Sequence, residues 1–257
     1  MATPLTVRVV EHQAQIFRRF WRGSATFYVL NPVLFLAAIG FGLGGLVQES
    51  TGNVGGVPYD AFVAPGLLAA SAMLGATAES MWPVMAGTKW VRTFHAMVAT
   101  PVRPADVYAG VVAWTTVRSA VGASIFLIVA AVLGAVLSPW GVLAIPAAAL
   151  CATAFAAPLT AFSATQETDA RFPVILRIGV MPLFLFSGTF FPVSQLPDVL
   201  QRLAWLSPLW HGVELCRGAM TGSIDFFPAV AHVAVLVACI VAGWYWGTRS
   251  FTKKLTQ

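Results

Sequence analysis

Side chains that could bind a metal or carry out catalysis are sparse in this chain of 257 residues. It has four histidines, and no two of them stand at a spacing typical of metal ligands. These histidines are His12, His95, His211 and His232. The sequence contains neither a serine in a GxSxG turn nor an HExxH zinc motif. It therefore predicts no catalytic residue and no metal site.

The three cysteines are too scattered to form a disulfide framework or a zinc site. They are Cys151, Cys216 and Cys239, and they lie mostly within apolar stretches. We expect all three to pack in the interior as small apolar side chains.

The glycine-rich run from Gly40 to Gly45 superficially resembles a phosphate-binding loop, but no Lys-Ser or Lys-Thr follows it. Gly40 and Gly44 instead match the small-xxx-small pattern that lets transmembrane helices approach closely. We therefore predict helix packing at this run and no nucleotide binding.

Two charged residues, Glu79 and Arg118, lie inside or beside apolar stretches, where a charge can mark a transport pathway. Glu79 lies about 27 Å along its span from Ala61, and Arg118 lies about 28 Å before Leu137. Both positions are near one boundary of the hydrocarbon, and neither suits a proton relay through its middle. We expect Glu79 and Arg118 to pair across two helices. The alternative is that each snorkels separately into the lipid headgroups.

The composition identifies the environment that these side chains occupy. Hydrophobic residues make up 58% of the chain and charged residues only 10%, whereas a soluble domain is about one-quarter charged. Such a chain cannot cover a water-facing surface of this size. This excludes an ordinary cytoplasmic enzyme, a disordered protein and a nucleic-acid-binding module, and it predicts a polytopic membrane protein.

The uncharged stretches predict an all-α fold with six transmembrane helices, since about 20 apolar residues cross the hydrocarbon core. Ser119 to Gln166 holds two of these helices, separated by the turn sequence Ser138-Pro139-Trp140-Gly141. The predicted spans are 25–47, 61–82, 107–137, 141–163, 173–192 and 227–248.

The basic residues predict the orientation of these spans. The net charge is +5, and most of the 15 basic residues fall in the amino-terminal segment, the loops near 83–106 and 164–172, and the carboxy-terminal tail. By the positive-inside rule both termini are cytoplasmic.

Two predicted cytoplasmic segments could receive a soluble partner. Residues 5–22 have apolar residues at helical spacing and fit an amphipathic helix on the membrane surface, or a basic flank that only orients the first span. Residues 83–106 form a basic, partly helical loop, or a simple solvated connection.

The segment 194–224 is divided by prolines into two helices too short to cross a membrane, over about 197–206 and 208–221. Its arginines have acidic neighbours at helical spacing: Asp198 precedes Arg202 and Glu214 precedes Arg217. We expect a re-entrant helix pair between the fifth and sixth spans, with its ends covered by protein or water.

At this point the sequence resembles a known family. The stretch FSGTFFPVSQLPDVLQRLAWLSPLWHGVELCRG is similar to the carboxy-terminal signature of ABC-2 type transporter permeases. NPVLFLAAIGFGLG, ATAESMW and FHAMVATPVRPADVYAGVVAW resemble the family's first span, second span and first cytoplasmic loop. The resemblance covers nearly the whole chain and points to the branch of nodulation-type lipo-oligosaccharide exporters and daunorubicin-type drug exporters.

The resemblance implies a permease in the bacterial inner membrane that dimerises, as a homodimer or with a homologous permease, and binds two copies of a cytoplasmic ABC ATPase. Since this chain has no phosphate loop, ATP and Mg²⁺ belong to the partner. Residues carried over as contacts to the ATPase are Arg18, Arg19, Arg92, Thr100, Pro101 and Arg103. Those in the family's re-entrant helices are Asp198, Arg202, His211, Glu214 and Arg217, and those suited to close packing at the dimer seam are Gly40, Gly44 and Gly188.

The function implied is outward transport of an amphipathic glycolipid, lipo-oligosaccharide or drug, with Phe184, Phe186, Phe190 and Phe191 as candidate lining residues. One alternative is a membrane enzyme acting on a lipid, although Glu79, Asp106, Glu167 and Asp169 form no recognisable motif. A passive channel or scaffold is another alternative, although no helix carries a polar stripe.

Overall fold

The computed structural model describes residues 5–38, 53–54 and 56–256, and within the first helix it leaves the side chains of 20–29 and 31–32 undescribed. The first half of this region contains helices α1 to α5: Leu5–Ala37, Tyr59–Met85, Thr93–Val98, Pro104–Val132 and Ala144–Thr165. A π-helical turn, Ala86–Trp90, extends α2, and a 3₁₀ turn, Pro139–Leu143, leads into α5.

The second half contains shorter elements and one long helix. Helices α6 to α10 are Phe172–Val174, Met181–Phe186, Asp198–Leu206, Pro208–Thr221 and Phe226–Leu255. The π-helical stretch Ile175–Val180 joins α6 to α7, and 3₁₀ turns lie at Asp169–Arg171 and Val193–Gln195.

Four helical segments in the described part of the chain are long and apolar enough to cross a membrane. They are 27 to 32 residues long, or about 40–48 Å, more than the roughly 30 Å of a bilayer core. They are Tyr59–Trp90, Pro104–Val132, Pro139–Thr165 and Phe226–Leu255. The first is mostly buried inside the bundle, whereas the last is mostly exposed. The exposed apolar side chains of α10 therefore face lipid or another protein.

The predicted spans 61–82, 141–163 and 227–248 fall on these segments. The predicted end of the third span at 137 is wrong, because α4 stops at Val132. Gly134 adopts a φ of +79°, the left-handed conformation that ends helices and that glycine adopts readily. The chain beyond it is pinned to α9, where the Leu137 amide donates to the Met220 carbonyl oxygen at 2.9 Å.

The predicted fifth span, 173–192, is shorter in the structure. Its helical run ends at Phe186, and from Phe172 it covers about 22 Å, less than a bilayer core. Gly188 has a φ of +81° and turns the chain, so the predicted end at 192 is wrong. The count of six spans stays a prediction.

The first helix also differs from the sequence prediction. A single helix covers residues 5–37, where we predicted a surface helix at 5–22 and the start of a span at 25–47. No proline interrupts the chain between these two segments. The later part of the predicted span, with Gly40 and Gly44, lies outside the described residues.

Small side chains let the helices approach closely in the core. A Cβ on Gly243 of α10 would lie 2.6 Å from the Pro158 backbone nitrogen of α5. A Cβ on Gly212 of α9 would lie 2.5 Å from the Cys151 Sγ. Cys151 and Cys216 are buried and unbridged, whereas Cys239 is only partly buried. The prediction that all three cysteines pack in the interior is therefore confirmed for two of them. Close packing through small residues is typical of membrane helices.

Candidate functional site at the basic end

Three helices are tied together at one end of the bundle, which we call the basic end. Glu167, just after α5, accepts a hydrogen bond from Lys89, after α2, and a second from Lys254, in the last turn of α10, at 2.6 Å. The Glu167 side chain is 69% exposed. The hydrogen bonds from Lys254 and Lys89 lower the pKa of the Glu167 carboxyl to about 2. The cluster therefore stays charged at neutral pH.

Residues 86–103, which we call the basic platform, are anchored against two long helices. The Phe94 ring sits against Gly87 within the platform, where a Cβ would lie 2.5 Å from the ring, and it belongs to the same buried cluster as Val84 of α2. Arg92, with a φ of +59°, turns the chain between Gly87 and Phe94. Phe94 also contacts Phe251 of α10, with ring centroids 5.9 Å apart. A force on the platform would thus be passed directly to α2 and α10.

The basic platform presents its polar residues to solvent. Arg92, Thr100, Pro101 and Arg103 are all exposed, as a contact surface for a soluble partner requires. Burial lowers the pKa of His95, and the positive charges of Arg92, Lys254 and Lys89 lower it further. At neutral pH His95 is therefore uncharged, and the exposed positive charge of the platform is that of its arginines. The role of these residues in coupling stays a prediction.

The start of α4 is joined to α1. Asp106 accepts a hydrogen bond from the Arg103 amide at 3.3 Å, caps the helix and pairs with the Arg103 side chain at 3.1 Å. The Thr6 hydroxyl donates to the same carboxylate at 3.3 Å. Further along, Val9 of α1 fills the space above Gly110. Helix α1 therefore runs beside α4 and parallel to it, which differs from the predicted position flat on the membrane surface.

This placement separates Arg18 and Arg19 from the platform. Both are exposed, but they lie about 18 Å along α1 from Thr6, which contacts Asp106. The structure brings Arg92, Thr100, Pro101 and Arg103 into one segment and leaves Arg18 and Arg19 at another level of the bundle.

The predicted contact between Glu79 and Arg118 is present. An Arg118 guanidinium nitrogen, Nη1, lies 2.7 Å from Glu79 Oε1, and the side chains are only 22% and 16% exposed. The guanidinium also stacks over the Phe17 ring, 4.7 Å from its centre. The Phe17 ring in turn packs against the Trp114 ring, with the two ring centroids 5.9 Å apart. Beside them lies a cavity of about 240 Å³. This junction joins α1, α2 and α4; its functional role stays a prediction.

The predicted re-entrant residues lie at the other end of the bundle. The Arg217 side chain pairs with Glu214 at 2.6 Å and donates to the Gly188 carbonyl oxygen at 2.6 Å. Its guanidinium also lies 4.0 Å from the centre of the Phe62 ring. In the same described region, Asp198 and Arg202 form no ion pair, so Asp198 balances the charge of Arg202 only as a neighbour at helical spacing, without direct contact. They are four positions apart on α8, and both residues are exposed.

Gly188, which we predicted to suit close packing at the dimer seam, lies in a turn in this chain, and its role at the seam stays a prediction. It ends the turn after α7, and a Cβ there would lie 3.1 Å from Val193 and 3.6 Å from Trp210 of the same chain. Its left-handed conformation and its carbonyl contact with Arg217 account for the glycine.

A pair of histidines was missed by sequence reasoning. The Nδ1 atoms of His211 in α9 and His232 in α10 lie 2.7 Å apart, and His211 Nε2 lies 3.0 Å from the Trp205 carbonyl oxygen. The two residues are on different helices, so no local spacing could reveal the pair.

The part of the chain that the structure describes holds no group of three side chains suited to a metal. Three of the four acidic residues considered for a lipid-modifying enzyme have structural partners: Glu79 pairs with Arg118, Asp106 caps α4 and Glu167 binds two lysines. The geometry therefore gives no support to the alternative of a lipid-modifying enzyme. It defines a multi-pass helical membrane protein whose exposed basic platform connects to its long helices.

Comparison with known proteins gives the family. The model of the ABC-2 type transporter family matches residues 13–221. The chain is 35% identical over 204 residues to Nodulation protein J of Sinorhizobium fredii, covering 78% of this chain and 76% of the relative. It is 33% identical over 232 residues to Nodulation protein J of Rhizobium leguminosarum bv. trifolii, covering 90% of this chain and 86% of the relative. It is 25% identical over 227 residues to the inner membrane transport permease YadH of Escherichia coli, covering 88% of this chain and 86% of the relative.

The chain belongs to the ABC-2 type transporter family. It is a transport subunit that lacks the ATPase domain, and permeases of this family carry no cofactor themselves. Such permeases pair with an ABC ATPase.

Proposed function

We propose that this chain is the permease of an exporter that moves an amphipathic glycolipid, lipo-oligosaccharide or hydrophobic drug outward across the bacterial inner membrane. A separate ABC ATPase drives the movement. The similarity to Nodulation protein J supports a lipo-oligosaccharide among these cargoes. The observation that carries the proposal is the basic platform, which is exposed to solvent and anchored to α2 and α10 through Phe94.

The proposed topology has six spans, with the basic end and both termini in the cytoplasm. Four long helices are in place for it. The first span would be α1 with its continuation beyond the described residues, and the fifth would be the run through α6 and α7. The concentration of basic residues at one end supports this orientation through the positive-inside rule.

The coupling step that we propose begins at the basic platform. Two copies of the ATPase close on ATP and press on Arg92, Thr100, Pro101 and Arg103 of two permeases. The platform passes the movement to α10 through Phe94 and to α4 through Asp106. Because interiors are close-packed, such a displacement shifts whole helices and does not dissipate locally.

The cargo would then move at or beside the seam between two permeases. Phe184 and Phe190 pack edge to face, 5.2 Å apart, on the margin of the main core. Phe186 is 39% exposed. These rings, with Phe191, provide an apolar surface for a lipid-like cargo.

The test is cargo transport by inside-out vesicles that contain the permease and its ATPase. We expect ATP-dependent uptake of a fluorescent lipo-oligosaccharide to fall severalfold in Arg92→Ala and Arg103→Ala, with the complex still assembled. Arg202→Ala is the matched control, because Arg202 is an exposed arginine at the other end of the bundle. Unchanged uptake in vesicles without the ATPase would contradict the proposal. A panel of glycolipids and hydrophobic drugs in the same vesicles would identify the cargo class.

A further inference from the structure

A second cavity lies at the end of the bundle opposite the basic end. It lies between the start of α5, the end of α9 and the start of α10, opens to the outside of the bundle, and has a volume of about 390 Å³. Ligand sites in proteins have volumes of about 300–1,000 Å³ and are mostly apolar with a few convergent polar groups. One wall of this cavity is apolar and includes Leu143, Pro146 and Leu150.

The polar side of the cavity includes Glu214, Asp225 and His232. One carboxylate oxygen of Glu214 binds Arg217, but the Arg217 side chain also reaches away to Gly188 and Phe62. The second Glu214 oxygen is not used in that ion pair, and the Glu214 side chain is 34% exposed. Asp225 is exposed at the rim. The cavity therefore has two carboxylates along one side.

The histidine pair determines what His232 offers to a ligand. A carbonyl oxygen only accepts, so the contact with Trp205 places a proton on His211 Nε2. With both rings neutral, His211 Nδ1 is then the acceptor and His232 Nδ1 the donor of the 2.7 Å bond between them. The remaining His232 nitrogen, Nε2, is an acceptor. Glu214, Asp225 and His232 thus all offer acceptors.

A cavity with acceptors on one side and hydrocarbon on the other matches a particular ligand chemistry. A primary ammonium group has three N–H donors and no acceptor, and its charge complements the carboxylates. Val233 of α10 lines the cavity, and the exposed Val230 and Val237 lie about one turn to either side of it, so an apolar surface leads from the cavity to the outside of the bundle. A ligand from the bilayer can therefore reach the cavity sideways.

We propose that this cavity binds a membrane lipid with a primary ammonium head group, of the phosphatidylethanolamine class. The ammonium group lies between Glu214, Asp225 and His232, and an acyl chain lies along the apolar wall. The inference rests on the proposed function in one respect only: the proposed orientation places the bound lipid in the outer leaflet. Bound lipid would hold α5, α9 and α10 together at this end.

Lipid binding by the full-length permease in detergent tests the proposal, with lipid adducts counted by native mass spectrometry. The probes are phosphatidylethanolamine and phosphatidylcholine with identical acyl chains, since the choline head group has a similar charge but no N–H donor. We expect phosphatidylethanolamine to bind about tenfold more tightly, because hydrogen bonds to charged groups are among the stronger ones.

Asp225→Asn is the main variant, because it leaves the Glu214–Arg217 pair intact, and we expect it to remove most of the preference. Asp198→Asn is the matched control at the same end and should keep the preference. Leu150→Trp fills the apolar wall and should weaken both lipids alike. Equal binding of the two lipids by the unaltered protein, or an undiminished preference in Asp225→Asn, would overturn the proposal. Neither outcome depends on the ATPase, so a failure of this lipid-binding proposal can be distinguished from a failure of the proposed transport function.

Discussion

Replacing Arg118 by methionine removes one partner of the ion pair that joins α1, α2 and α4. The change leaves the Glu79 carboxylate in a site where its side chain is only 16% exposed. Removing one partner of a fully buried pair costs about 3–5 kcal/mol. Since both side chains keep some contact with solvent, we expect a loss of about 2–3 kcal/mol in the free energy of unfolding.

The Phe17 contact makes the two single substitutions unequal. Glu79→Gln leaves the Arg118 guanidinium stacked on Phe17, whereas Arg118→Met removes that contact too. Cation–π contacts contribute about 0.5–2 kcal/mol, so Arg118→Met should be the more destabilising change. In the double variant no unpaired charge remains, and we expect a coupling free energy of about 2 kcal/mol between the sites.

The assay is reversible unfolding in mixed micelles with increasing SDS, followed by circular dichroism, on the four proteins of this double-mutant cycle. Asp198→Asn, which neutralises an exposed acid, serves as the control and should change stability by less than about 0.5 kcal/mol. Strictly additive effects of Glu79→Gln and Arg118→Met would refute the ion pair. So would a double reversal, Glu79→Arg with Arg118→Glu, that is no more stable than either single reversal.

Two further predictions concern the packing around α10. Because the pKa of Glu167 is lowered, its contacts with Lys89 and Lys254 stabilise the fold above the ordinary carboxyl pKa of about 4.3, and this contribution is lost as the pH falls toward about 2. The difference in melting temperature between the unaltered protein and Glu167→Gln should therefore shrink over that pH range. A constant difference would contradict the prediction. Tyr108→Phe removes a buried hydroxyl whose single proton is shared between two backbone carbonyl oxygens, at 2.9 and 3.1 Å. We expect this change to lower the free energy of unfolding in SDS by about 1 kcal/mol. No change in stability would show that these contacts contribute nothing.

The segment 194–224 shows how far the sequence could predict the fold. The predicted pieces, about 197–206 and 208–221, match α8 and α9 almost residue for residue. Prolines set both boundaries, since proline starts a helix readily and cannot continue one. The end of α4 was harder to predict, because apolar residues continue past Val132 and composition alone does not show that Gly134 turns the chain.

The site was predictable where depth in the membrane was informative. Glu79 and Arg118 could be paired because each lies at a calculable distance along its own apolar stretch. The cluster of Lys89, Glu167 and Lys254 could not be predicted, since its members come from three helix ends. Their contact depends on how α2, α5 and α10 pack, and that packing follows from small residues distributed over the whole bundle.

The central claim is that an ABC ATPase drives this permease by docking on its basic platform. The most direct measurement is photo-cross-linking in membranes that contain both subunits, with a benzophenone amino acid in place of Thr100 or, as the control, in place of Ser223 at the opposite end. Mass spectrometry of the adducts would identify the partner by its Walker A peptide. Our account predicts that the ATPase is captured from position 100, with a yield that changes on adding ATP, and not from position 223. Capture from position 223 alone, or the absence of an ATPase adduct at position 100 in an active complex, would contradict it.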